Sequence, residues 1–371
     1  MTNSKRQQKG AAVLITVVLM FVLVTLVTIY TSRIVSINNK ISLNDQNRLL
    51  AKASAEAGLI RAYGLLSENP NWSGSSINET STNGGSFTVS GVGQVIARES
   101  TDVRLITLTS TGVSADGLAR DTITEQAFLY SILANTPDAP LILSGGIGLS
   151  GNFEVAANPN GGGEGVPLSI WTDGNVDLSN GSGTTCGKQE LLDGQCSTSP
   201  YSEKGSKGND ILDNDSNFPS DIMEYMFNVS ESNWESLRDD ADILASSCAG
   251  LNVASVGLIW VDGPCSINAG TIIGSAANPV IVIVTNNDIT MNGGAILNGM
   301  LLSFRKPGDV SDFEINMIGG AAVNGLVASN HQVGNSNGTF NAIFDADILA
   351  QLEANDAFKR VARVPGSWRD F

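Results

Sequence analysis

Between residues 213 and 224, oxygen-bearing side chains recur at fixed offsets. Asp213, Asp215, Asn217, Asp221 and Glu224 stand at the first, third, fifth, ninth and twelfth positions of an EF-hand-type loop. Calcium takes about six to eight oxygen ligands, and this spacing supplies most of them. Phe218, however, fills the sixth position, where the sharp turn calls for glycine, and no clear helix precedes the loop. The competing reading is an Asx-rich loop in which Ser220 or Asp221 caps the next helix. Calcium on these five residues is thus the one cofactor the sequence suggests.

Cys186, Cys196, Cys248 and Cys265 are separated, within each successive pair, by 9 and 16 residues, which fits no zinc or redox pattern. Disulfides are expected, and of the three connectivities 186–196 with 248–265 closes the shortest loops. Each would stabilise by about 2–4 kcal/mol. His331 is the only histidine and reads as a surface or turn residue, which leaves no histidine-based zinc site. No nucleophile elbow, Walker loop or dinucleotide fingerprint occurs. Asp239 and Asp240 are adjacent, so on a helix they point in different directions and read as solvated. Trp171 and Trp260 fall at equivalent places in a repeat and read as stacked core residues rather than a ligand surface. The chain is not expected to be an enzyme.

These residues need elements to hold them. The chain has 371 residues, 42% of them apolar and 40 of them glycine, which suits two or three domains rich in short strands and tight turns. The net charge of −16 repels phosphate backbones and argues against nucleic acid as a partner. From Ala11 to Tyr30 there is no charge, and 13 of these residues are Leu, Ile, Val or Phe. At about −0.3 to −0.6 kcal/mol each, they favour membrane insertion by roughly 4–8 kcal/mol. Lys5, Arg6 and Lys9 precede the run and keep the N-terminus cytoplasmic, although Arg33 and Lys40 weaken the asymmetry. The run is too long for a secretory signal peptide. Apolar and small residues then recur at helical spacing through Ile34, Ile37, Ile41, Leu49, Ala53, Ala57, Ile60 and Gly64, and the pattern stops only at Asn69-Pro70. One helix is predicted, half in the membrane and half a spine on which a head packs.

Basic leader, Gly10, long apolar helix, the segment Ala53-Ser54-Ala55-Glu56-Ala57-Gly58-Leu59 and a β-rich remainder together resemble the type IV pilins, specifically the PilX-type minor pilins. The resemblance covers about residues 1–68. It implies cleavage after Gly10 by a prepilin peptidase, methylation of the new N-terminal Ala11, and an assembly role for the helix, Glu56 included. It also implies an inner-membrane location, pilin or minor-pilin partners, and an exported head that enters a pilus. Major pilins of the class carry a glutamate five residues after the cut; here that position is Ile15. A lone acid there costs about 2.5–3.5 kcal/mol of insertion and is kept only for pairing, so its absence points to a subunit that primes assembly or sits at a tip.

The expected fold class is α+β. A leader (1–10) and the transmembrane and spine helix (11–68) precede a pilin-like antiparallel sheet (69–135), built from short runs at 87–89, 95–97, 103–110 and 122–131. A mostly β domain (136–371) follows. In it, 170–181 resembles 259–270 and, more weakly, 283–294; 294–299 resembles 320–325 at a spacing of 26 residues. Such periods suggest a short parallel β-solenoid, with a sandwich of the same strands as the alternative. Residues 182–250 form an insertion with helices expected at 220–228 and 230–245, placed on one face of the solenoid, often the binding face. The helix 345–358 is expected to cap the open end, and Trp368 to be a buried anchor. A surface receptor or polysaccharide would be the partner of the head. The alternatives are a signal-anchored exported adhesin outside any filament, or a polysaccharide-acting β-helix enzyme.

Overall fold

The computed structural model of the protein describes residues 5–96, 103–149, 151–197, 199–336 and 339–370. The chain forms two compact units, Met1–Gln94 with Arg104–Phe128 and Val361–Phe371, and Val95–Val103 with Leu129–Arg360. Two boundaries therefore differ from those expected. The crossover falls at 128/129 rather than 135/136, and residues 361–371 leave the repeat domain because Lys359–Arg363 adds a last strand to the sheet of the first unit.

That unit is built on α1, a single helix Lys5–Glu68 of about 96 Å at 1.5 Å per residue. It ends where Asn69-Pro70 removes the next donor. The sheet runs in the order β1 (Ile77–Thr80), β2 (Ser86–Ile96), β3 (Val103–Val113), β4 (Arg120–Ser131) and Lys359–Arg363. The runs at 87–89 and 95–96 belong to one strand, with Ala97 outside the described residues, and β1 lies in what reads as loop. Helix and sheet meet at very short range. A Cβ on Gly58 would lie 2.2 Å from Ser110 Oγ, and one on Gly112 only 2.1 Å from Ala51 O. The helix residues buried there, Ala51, Ser54, Ala55, Gly58, Leu59, Ala62 and Leu66, are mostly small for that reason.

The second unit is a parallel β-solenoid with three strand ladders; the sandwich alternative is excluded because the solenoid strand pairings are parallel. The first ladder stacks, in spatial order, Ile243–Ala245, Gly257–Val261, Val280–Thr285, the end of Ile296–Phe304, the end of Ala322–Ser329, Leu141–Leu143, Ile170–Thr172 and Ile211–Leu212. Spatial order is not chain order, since the rungs at 141–212 stack beyond those at 322–343. The 26-residue repeat is a true register, pairing Asn298 with Asn324 and Gly299 with Gly325. At that corner Asn324 Nδ2 donates to Asn298 Oδ1 at 3.1 Å. Gly299 and Gly325 take φ of 135° and 133°, where a side chain would strike the carbonyl of the neighbouring rung.

Strands of the first ladder are apolar on both sides. Ile259, Val261, Val280, Val282 and Val284 join the core inside the solenoid, whereas Leu258, Trp260, Ile281 and Ile283 join a second core on its outer side. That second core is completed by the segment that carries the chain from Leu212 back to Ile243. Ile222, Met223, Met226 and Phe227 of helix Ile222–Phe227, and Leu237 of helix Trp234–Asp239, pack there. The insertion is thus a cover for a buried face. Its second helix is shorter than expected, because Ile243–Ala245 leaves the helix to pair with Ile259–Val261. Helix Ala346–Ala354 also joins the outer core through Leu349 and Leu352, so it lies against the side of the stack instead of capping an end. Trp171 and Trp260 occupy one register column but do not stack on each other: Ile283, Leu302, Ala328 and Ile142 separate them.

Each disulfide sits at one end of the stack. Cys186, in the strand Thr184–Gly187 that ends the ladder beyond Glu154–Ala157, is bonded to Cys196, and Cys248, in the closing turn at the other end, is bonded to Cys265. Replacing Cys248 and Cys265 together by alanine is expected to lower the stability of the solenoid by about 2–4 kcal/mol in urea melts.

Candidate functional site: the exposed helix face

On α1 two stripes run on opposite sides. The packed stripe of small residues lies two positions, about 200° of rotation, from Leu49, Ala53, Ala57, Ile60 and Gly64. The stripe that marks the helix in the sequence therefore points away from the sheet: Leu49 is 68% exposed and Ile60 65% exposed. Ile41, Ile37 and Ile34, toward the uncharged run, are exposed as well, as is Ile15, although in rotation they lie nearer the packed stripe than Leu49 and Ile60 do. Gly10 and Ala11 fall within the same helix, and Glu56 is on its solvent side. A helix so apolar on a face its own domain leaves uncovered calls for other apolar surface, lipid or helical.

Polar contacts hold the rest of the unit to the helix. Lys52 Nζ lies 2.7 Å from Asp370 Oδ2 and 5.0 Å from the centroid of the Trp368 ring. Trp368 is 43% exposed, a lid on a lysine and not the buried anchor expected. Asp116 Oδ2 accepts from Asn47 Nδ2 at the hairpin turn, and Arg61 Nε lies 3.1 Å from Glu79 Oε1.

Three of the five candidate calcium residues, Asp213, Asp215 and Asp221, are turned to protein donors. Asp213 pairs with Lys207 and accepts from the Val176 N–H. Burial pushes its carboxyl up, but the Lys207 ammonium outweighs this and holds it below the usual range. Asp215 accepts from the Asn217 N–H at 2.9 Å and from Trp171 Nε1 at 2.8 Å, which keep its carboxyl low as well. Asp221 caps helix Ile222–Phe227, accepting from the Glu224 N–H at 2.8 Å, and takes the Glu231 N–H on its other oxygen. Asn217 Nδ2 itself donates to Asp215, and Glu224 lies inside the helix. Among the described residues no three His, Cys, Asp or Glu side chains are grouped to share a metal ion. The geometry predicts that calorimetric titration of the protein with calcium gives no saturable heat; a saturable isotherm would restore the loop reading.

His331 is buried, which corrects its reading as a surface residue. Nδ1 donates to the Gln332 carbonyl at 2.8 Å, so Nε2 is left to accept from Ser303 Oγ at 2.9 Å. Burial lowers its pKa. This Ser–His pair has no exposed member and reads as core hydrogen bonding. Nothing in the single histidine's sequence context signals burial; only the register that sets Ser303 beside Ser329 brings it inside.

With the fold and helix face established, the chain can be compared with known proteins. Residues 9–59 match the family described as PilX N-terminal. The N-terminal segment is thus similar to that of PilX-type minor pilins, and the fold is α+β, with a long apolar helix, a small antiparallel sheet and a mostly β remainder. The competence-associated pilin ComZ from Thermus thermophilus is similar at 12% identity, over 81% of this chain and 92% of that chain, with a TM-score of 0.25, too low to equate the two folds. No curated protein sequence matches significantly.

The two stripes give opposite mutational expectations. Gly58→Val should destabilise the first unit by about 1–3 kcal/mol through overpacking. Ile60→Ser, on the uncovered face, should change stability by no more than about 0.5 kcal/mol. Thermal melts of the purified variants in detergent distinguish the two.

Proposed function

We propose that the protein is a minor subunit of a type IV pilus or a related filament. It is cut after Gly10 by a prepilin peptidase, enters the assembly through the helix from Ala11 to about Leu66, and acts as a primer or tip subunit that presents its solenoid, with adhesion to a receptor or polysaccharide as the use of that display. The observation that carries this reading is the apolar surface that α1 leaves uncovered, the membrane run followed by Ile34, Ile37, Ile41, Leu49 and Ile60, while the small residues between Ala51 and Leu66 pack on the sheet. In the membrane that face meets lipid; above the membrane only the helices of other subunits offer matching apolar surface. Ile15 supports an end position, because the helix brings no carboxylate to pair with a neighbour's terminal amine. The role is structural, and no enzyme chemistry is part of it.

Mass spectrometry of the native N-terminus tests the processing step directly, with a methylated Ala11 expected. Replacing Gly10 by leucine should leave the full-length chain uncut and reduce surface filaments. An unchanged size and unchanged filament number would instead favour an exported adhesin held by a plain signal anchor. Finding the protein at regular intervals along purified filaments would rule out the tip or primer role.

A further inference from the structure

The two ends of the solenoid are finished differently. At one end the terminal strand Thr184–Gly187 is covered by the following loop: the Thr185 N–H donates to Ser202 O at 2.8 Å, and the Ser202 N–H to Thr185 Oγ1 at 2.7 Å. Asp210, fully buried, ties that loop down by accepting from Ser202 Oγ at 2.7 Å and Ser169 Oγ at 2.6 Å. The opposite end has no such closure on its first ladder, where the sheet stops at Ile243–Ala245. Its backbone bonds reach inward, the Asp262 N–H to Ala245 O at 2.9 Å, and the alternation of a parallel ladder then directs the N–H and C=O of Leu244 outward. The Leu244 side chain is 60% exposed. Beside it opens a cavity of 340 Å³ walled by Ile243, Ala245, Leu251 and Ala254 with Ser247 and Asn252 on its lining. The strand is short, but it carries no lysine, proline or bulge to block pairing.

We infer that this end is a docking edge for an extended segment of a different protein chain, which adds one more strand to the first ladder and sets a small apolar side chain into the cavity. The ladder itself defines the chemistry. Each rung places apolar residues at alternate positions over Ile243 and Ala245, so the incoming strand alternates in the same way. Charge defines the flanks. No Lys or Arg occurs between Arg238 and Arg305, and Asp239 and Asp240, exposed and without an ion pair among the described residues, lead into the strand. The partner strand is therefore flanked by basic residues. A second copy of this chain is disfavoured, because a twofold pairing of two such edges runs antiparallel and brings to Asp239 and Asp240 only the uncharged stretch after Ala245, with no basic residue to meet them. The inference does not depend on the filament reading, since it rests on the solenoid alone.

The test uses the full chain in detergent micelles and a fluorescein-labelled peptide, KKTVTVTKK, followed by anisotropy at low salt. Saturable binding is expected, with slowed amide exchange at Leu244. Leu244→Lys should weaken it by about tenfold or more, whereas Leu212→Lys, at the exposed edge of the opposite end, should leave it unchanged. Both side chains are substantially exposed, so both variants should fold, as melts would confirm. The inference is overturned by absence of saturable binding, by equal loss in both variants, by equal binding of DDTVTVTDD, or by a dimer in sedimentation that Leu244→Lys abolishes.

Discussion

Side chains leave a β-strand alternately to either side, and in the first ladder both sides are apolar. Val280–Thr285 reads Val-Ile-Val-Ile-Val-Thr, and every one of its residues is buried. A solenoid encloses only the inward half of such a strand. The outward half, Leu258, Trp260, Ile281, Ile283, Met300 and Leu302, must be covered by something else, and the rest of the unit follows from that need. Burying a large apolar side chain is worth about 1.5–3 kcal/mol, so a ladder left bare outside would lose an amount comparable to the net stability of an ordinary domain. The cover is supplied by the return segment and by helix Ala346–Ala354.

The spatial order of the rungs has the same origin. If the rungs followed the chain, the segment after Leu212 would have no reason to travel the length of the stack. Because the rungs at 141–212 sit beyond the last one, the chain must run back to begin at Ile243, and its path crosses the face that needs covering. One excursion thus solves both the connection and the burial. The helices on it are short because their job is to lay Met223, Met226, Phe227 and Leu237 onto a surface, not to form a bundle.

Much of this was legible in the sequence where a local rule acts alone. The helix, its stop at Asn69-Pro70, and the Asn-Gly corners at 298–299 and 324–325 each follow from residues within one or two turns of one another. What was not legible depends on pairing between distant segments. Periodicity locates an apolar stripe on α1 but cannot say which stripe meets the sheet; the answer lies in Gly112 and Ser110, which lie on another element. A helix prediction over 230–245 fails at Ile243 because Ile259–Val261 offers a strand partner that no local propensity reveals. The spacing of Asp213 to Glu224 satisfies a ligand pattern, yet Lys207, Trp171 and the N-terminus of the helix compete for the same oxygens. His331 is buried by register, not by its neighbours in the chain.

The same separation of local from distant constraints bears on how the two apolar faces left uncovered should be read. Within each unit the sequence is consistent in covering what it makes apolar: small residues where the helix meets the sheet, aromatic and methionine side chains where the return segment meets the ladder. Against that consistency, the outward stripe of α1 and the edge at Leu244 are departures, and each is regular rather than scattered. Leu49, Ala53, Ala57, Ile60 and Gly64 keep helical spacing, and Ile243–Ala245 keeps the register of the ladder it ends. Surface that is apolar by accident has no reason to preserve the period of the element beneath it. Surface that must receive a second helix or a second strand does, because the incoming element reads that period. On the two proposals above, the helix stripe would receive helices and the solenoid edge a strand, two different kinds of neighbour on one chain.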